Sequence, residues 1–168
     1  TRMWEEGRSK PLVIVSQDYV LEQLPGVLEA AYRGIPARYQ FPIEHRVAKP
    51  GETVEVADMT LRFAETKHPA ANCAVRVETG GRAICYSGDG MFTSASRELF
   101  SGADLLYHEA YSFDPSPAHG DIPGVIRMAR DQGVRKLGLV HVARKVRQER
   151  ERLTDTVLQT LEALFLRT

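Results

Sequence analysis

Several short apolar runs in this chain stop at a histidine or an acid, and that pattern limits the fold more than any other feature. Ile84-Cys85-Tyr86-Ser87-Gly88-Asp89-Gly90 is an apolar strand entering a glycine-flanked turn that carries one carboxylate. Leu61 to Thr66 alternates as a strand and runs into His68. Leu137-Gly138-Leu139-Val140 ends at His141, and Asp104 to Tyr107 runs into His108-Glu109. Strand ends are where sites assemble in α/β sheets, because the sheet fixes the backbone while the loops leave room for a ligand. Glycine on both sides of Asp89 permits positive φ and close backbone approach.

The segments between these runs predict helices. Val20, Leu21, Leu24, Leu28 and Ala31 recur at helical spacing after the strand Leu12 to Val15, with Pro25-Gly26 expected to kink or split the helix. Thr93 or Ser94 can cap a short helix to Ser101, and Asp121 a second that ends at Gly133. A last helix is expected from about Arg147 to Leu166, with Leu153, Val157, Leu158, Leu161, Leu164 and Phe165 on its inner face. Strands alternating with helices predict a layered α/β arrangement. A hairpin turning at Gly80-Gly81 sets Val75 opposite Tyr86 and Val77 opposite Ile84, which leaves Cys73 and Cys85 on opposite faces and unable to bond.

At 168 residues with no net charge, the chain is expected to be a single domain, 1–168, without a global field for nucleic acid or membranes. No apolar run has the ~18 residues of a spanning helix, and a cytoplasmic location is expected.

Two imidazoles and a carboxylate, from His68, His141 and Asp89, suit Zn²⁺, Mn²⁺ or Fe²⁺. Their spacing alone leaves open histidines that simply hydrogen-bond at a sheet edge. His45, mid-strand between Glu44 and Arg46, reads as a surface or edge residue, and only one of His108 and Glu109 can face a site. The tract Arg144 to Arg152 reads as a solvated helix start, or else as a rim for an anionic substrate.

The ordered series Thr66-Lys67-His68-Pro69, Tyr86-Ser87-Gly88-Asp89, His108-Glu109-Ala110, His119 and Leu139-Val140-His141 resembles the metallo-β-lactamase superfamily, in its ribonuclease Z-like and arylsulfatase-like branch. The resemblance implies a four-layer αββα sandwich and two divalent metal ions, zinc first, with manganese or iron as alternatives. It assigns His68 and His141 as ligands of one ion each, Asp89 as the bridge, and Glu109 and His119 as a catalytic pair, His119 steadying a phosphate or oxyanion. Ligating histidines must be neutral, so activity is expected to fall as they protonate. The implied substrate is a small-molecule ester or phosphodiester, with RNA left open and no membrane partner.

The family's His-x-His-x-Asp-His motif is absent, since no two histidines lie two apart. The chain therefore resembles the fold without its N-terminal portion, and alone is expected to bind at most one metal weakly and hydrolyse nothing appreciable. Tyr111 stands where ribonuclease Z has threonine after His-Glu-Ala, and His119-Gly120-Asp121 replaces His-Ser-Thr. A non-catalytic scaffold or subunit is the competing expectation. An uncovered sheet face would in either case invite a homodimer.

Overall fold

The computed structural model describes residues 2–34, 38–149, 151–152 and 162–163. It is α/β throughout and divides into two compact units, Thr1–Lys49 and Pro50–Thr168.

In the first unit, helix α1 (Arg2–Glu5) precedes strand β1 (Leu12–Ser16), helix α2 (Asp18–Ala31) and strand β2 (Ile43–Val47). β1 and β2 pair in parallel from Leu12 opposite Ile43 to Ser16 opposite Val47. A parallel pair needs a crossover, and α2 provides it. The helix continues unbroken through Pro25, contrary to the expected kink or split. Leu24 and Leu28, on either side of the proline, line one apolar cavity with Ile14, Phe41 and Ile43. Packing on both flanks holds the helical path although the proline removes one ladder bond. His45 is exposed on β2, as its setting implied.

The second unit is a seven-stranded sheet in the order β3 (Thr53–Val56), β4 (Met59–Glu65), β5 (Cys73–Thr79), β6 (Arg82–Tyr86), β7 (Leu105–Glu109), β8 (Lys136–Val140) and β9 (Glu162–Ala163). β3 to β6 are antiparallel and β6 to β9 parallel. It follows that β4, β6, β7 and β8 all run the same way and finish at one edge. The β5–β6 turn carries positive φ at both Gly80 and Gly81, and Val75 faces Tyr86 while Val77 faces Ile84, as read from the sequence. Cys73 and Cys85 are not joined by a disulfide.

One sheet face is closed by α3 (Ser94–Phe100) and α4 (Ile122–Asp131). There Ala74, Cys85, Leu106 and Leu137 pack with Phe100, Val125, Ile126 and Met128 in one core. Both helices start as expected. Thr93 forms a capping box with Ser96, and Asp121 accepts from the Gly124 amide. Arg76 closes the other end of α3, its guanidinium donating to the carbonyls of Leu99 and Ser101. On the opposite sheet face Ile84 and Tyr86 are 49% and 48% exposed, an apolar patch of the kind that was expected to invite a second copy.

Among the described residues the expected helix over 147–166 holds in pieces: Arg147 and Gln148 are helical, as are Glu151 and Arg152, whereas Glu149 and Glu162–Ala163 are not. A shorter helix, α5 (Arg144–Gln148), stops at Glu149, and Glu162–Ala163 is a strand in parallel register with Lys136 and Leu137. β8 would otherwise present an unpaired edge, and Glu162–Ala163 pair there as a strand. Leu153, Val157, Leu158, Leu161, Leu164 and Phe165 lie outside the described residues.

Candidate metal and catalytic centre

All five residues singled out in the sequence meet at the edge where β4, β6, β7 and β8 finish. Past β4, Lys67 and Met91 exchange backbone hydrogen bonds of 2.9 and 3.0 Å, pinning the segment before His68 to the segment after Asp89. His68 Nδ1 lies 3.2 Å from the Ala70 carbonyl and 3.1 Å from its amide, while Nε2 faces Asp89 Oδ2 at 3.7 Å.

The two glycines around Asp89 serve different needs. Gly88 has φ +72°, and a Cβ there would collide with Asn72 Oδ1. Gly90 does not have the positive φ that its place in the turn suggested; a Cβ there would lie 2.7 Å from Thr66 Oγ1 and 2.9 Å from the Lys67 carbonyl. Only a residue without a side chain lets the β4 and β6 extensions close on each other here.

Glu109, at the end of β7, is fully buried. Its amide donates to Ser87 Oγ at 2.9 Å, and that hydroxyl donates in turn to the Gly88 carbonyl, linking the Glu109 backbone to the turn that holds Asp89. Glu109 Oε1 accepts from the Gly120 amide at 2.5 Å. A Cβ on Gly120 would crowd both Val125 and Glu109, so the loop closes over the carboxylate only with glycine there. Burial pushes the Glu109 carboxyl above its ordinary range, with Asp89 adding to the rise, and the Gly120 amide and the imidazoles of His119 and His141 opposing it.

His119 is held by the same loop. Gly120 accepts from the Tyr111 amide at 3.0 Å and Ile122 donates to Ser112 at 2.8 Å, so the segment is stitched to the continuation of β7. Its Nδ1 faces Glu109 Oε2 at 3.5 Å and Asp89 Oδ1 at 3.8 Å. His141, just past β8, adopts φ +55°, an uncommon conformation for a residue with a side chain. Its Nε2 lies 3.4 Å from Asp89 Oδ1. The His119 and His141 rings stack at 5.1 Å between centroids.

His108 turns the other way, as strand alternation requires. It is fully buried, edge-on to Phe92 and Phe100, with Nδ1 2.6 Å from the Glu109 carbonyl. Burial lowers its pKa to about 4, so it is neutral at physiological pH. Arg144, Lys145 and Arg147 are exposed, and Arg152 pairs with Glu149 at 3.0 Å.

One ligand atom each from Asp89, His119 and His141 lies within 4.8 Å of the other two. Asp89 Oδ1, Glu109 Oε2 and His119 Nδ1 are buried without a hydrogen-bond partner. Imidazole and carboxylate donors around orphaned atoms fit a borderline divalent cation. The sequence had set His119 apart from the metal-ligating residues, whereas here it stands in the tightest trio and His68 reaches the other Asp89 oxygen. Three contributors carried little sequence signal: the Ser87 hydroxyl, the Gly120 amide, and the Tyr111 ring, which stands against both His119 and His141.

The family model of the beta-lactamase superfamily domain matches residues 2–142, a stretch that runs through both units. The chain belongs to the beta-lactamase superfamily. Solved structures of this metallo-β-lactamase fold agree. The metallo-beta-lactamase fold protein YhfI from Bacillus subtilis is 20% identical and superposes with a TM-score of 0.70, over 91% of this chain and 60% of that one. A diphosphatase from the PhnP family, 15% identical, gives 0.65 over 92% and 56%. Human tRNase Z, short form, 16% identical, gives 0.62 over 81% and 62%. This superfamily member thus spans about three fifths of the length of these relatives, and identities this low speak for the fold. No curated protein sequence matches it. No helix among the described residues is long and apolar enough to cross a membrane.

Proposed function

We propose that this chain carries the reaction centre of a metal-dependent hydrolase acting on a phosphodiester or related ester, within a single domain, 1–168. The observation that carries this reading is the trio of buried, unpartnered atoms, Asp89 Oδ1, Glu109 Oε2 and His119 Nδ1, facing one another at one sheet edge. Leaving each unsatisfied costs roughly 1–3 kcal/mol, which a fold serving only as a scaffold has no reason to concentrate in one place.

His68 Nε2, His141 Nε2 and both oxygens of Asp89 would hold two divalent ions, zinc favoured over manganese or iron. The Ala70 carbonyl and amide both hold Nδ1 of His68, and in the tautomer that carries its proton on Nδ1 the carbonyl accepts it and Nε2 is left to ligate. Bound divalent ions would polarise the ester and make water acidic enough to act as nucleophile near neutral pH. Glu109 Oε2, 3.5 Å from His119 Nδ1, favours the charged imidazole without a hydrogen bond to it, and an imidazole placed this way can steady negative charge as it develops on the substrate. The stacked His141 and Tyr111 rings limit rotation of His119.

The compactness of Asp89, His119 and His141 favours a second reading in which His119 is itself a ligand of a single ion. Variants of the protein expressed from its full natural reading frame separate the two. Asp89→Asn is expected to lose metal together with chelator-sensitive hydrolysis of bis(4-nitrophenyl) phosphate. His119→Ala is expected to keep the metal while kcat falls roughly 100-fold or more. Equal loss of metal in both variants would establish the second reading, and a metal-free, inactive wild type would leave the scaffold alternative.

A further inference from the structure

Among the described residues at this edge, Tyr111 offers a large aromatic ring whose part in the chemistry above is confined to limiting the rotation of His119. Its backbone is fixed from two sides: the amide donates to the Gly120 carbonyl at 3.0 Å, and its carbonyl accepts from the Ala143 amide at 2.9 Å. Those contacts tie it to the two segments that carry His119 and His141. The ring lies 5.2 Å from the His119 ring, nearly parallel at 26°, and 5.8 Å from that of His141 at 38°. Yet 41% of the residue is exposed, whereas Phe92, Phe100 and Phe113 of the same unit lie in or against the core.

An aromatic ring so anchored needs little ordering to receive a ligand, and two torsions carry a large contact area. We infer that Tyr111 is the stacking wall of a substrate subsite, and that the ester this centre takes carries a planar aromatic group next to the bond that is cleaved. The inference rests on the hydrolase reading and adds the substrate class to it. A nucleobase and a simple aryl group share the chemistry that such a wall recognises.

The test uses the chain with Mn²⁺ in excess and measures affinity for phenyl phosphate, adenosine monophosphate and methyl phosphate by calorimetry. Stacking on one aromatic ring corresponds to an expected preference of roughly tenfold or more for a planar ligand over methyl phosphate. Tyr111→Phe should keep the preference, whereas Tyr111→Leu, which retains apolar bulk without a planar face, and Tyr111→Ala should abolish it. Preference for phenyl phosphate alone assigns an aryl substrate, and preference for the nucleotide alone assigns a nucleobase. Equal affinity for all three ligands, or a preference that survives in Tyr111→Leu, overturns the inference. Failure of Mn²⁺ itself to bind marks failure of the hydrolase reading instead, and takes this inference with it.

Discussion

A neutral histidine sealed between two phenylalanines has a measurable consequence for stability. His108 binds its proton less readily when folded, with a pKa lowered to about 4 by burial against an ordinary value of 6.5. The unfolded chain therefore takes up the proton first as pH falls, and stability present above about pH 6.5 is lost progressively towards pH 4. A shift of this size corresponds to about 3 kcal/mol. Glu109 contributes with the opposite sign, because its raised pKa means that stability falls as pH rises through its range. Comparing wild type with His108→Phe cancels that contribution. Urea unfolding at pH 7 and pH 4.5 should show the wild type losing at least 1–2 kcal/mol more than the variant. Equal losses would mean that His108 is hydrated or already charged in the native state. This neighbour of Glu109 also illustrates the limit of strand alternation as a guide, which gave the direction of both side chains but no hint of the Phe92 and Phe100 slot.

At the scale of elements, the site depends on strand extensions approaching more closely than side chains allow. Gly90→Ala puts a methyl group 2.7 Å from Thr66 Oγ1 and 2.9 Å from the Lys67 carbonyl. The expected cost is roughly 1–3 kcal/mol by urea unfolding, with loss of metal affinity as the Lys67–Met91 pairing opens. Gly26→Ala is the contrasting case: it lies inside α2 with nothing within 4 Å, and should stabilise by roughly 0.5–1 kcal/mol. If both substitutions act in the same direction, the packing account of the Asp89 turn is wrong. Strands and caps here were legible because alternation, Gly80-Gly81, Thr93 and Asp121 are local signals. The strand at Glu162–Ala163 was not, because its pairing with β8 is decided by a distant strand edge that helical spacing cannot register. Pro25 misled for a related reason, since tertiary packing on both of its flanks preserves α2.

For the molecule as a whole, sheet topology turns a scattered sequence pattern into one centre. His68 and His141 are 73 positions apart in the chain, but β4, β6, β7 and β8 share a direction, so their ends must share an edge. That much was visible as polar residues closing apolar runs. What the sequence did not contain was the distance information that puts His119 in the tightest cluster with Asp89 and His141. The most direct test of the account is a Zn²⁺ or Mn²⁺ titration of the 168-residue chain and its Asp89→Asn variant, followed by elemental analysis. The wild type should retain up to about one ion per chain, weakly, as expected when few donors are shared, and the variant should retain none. Retention of the metal by Asp89→Asn at wild-type affinity would contradict the centre described here.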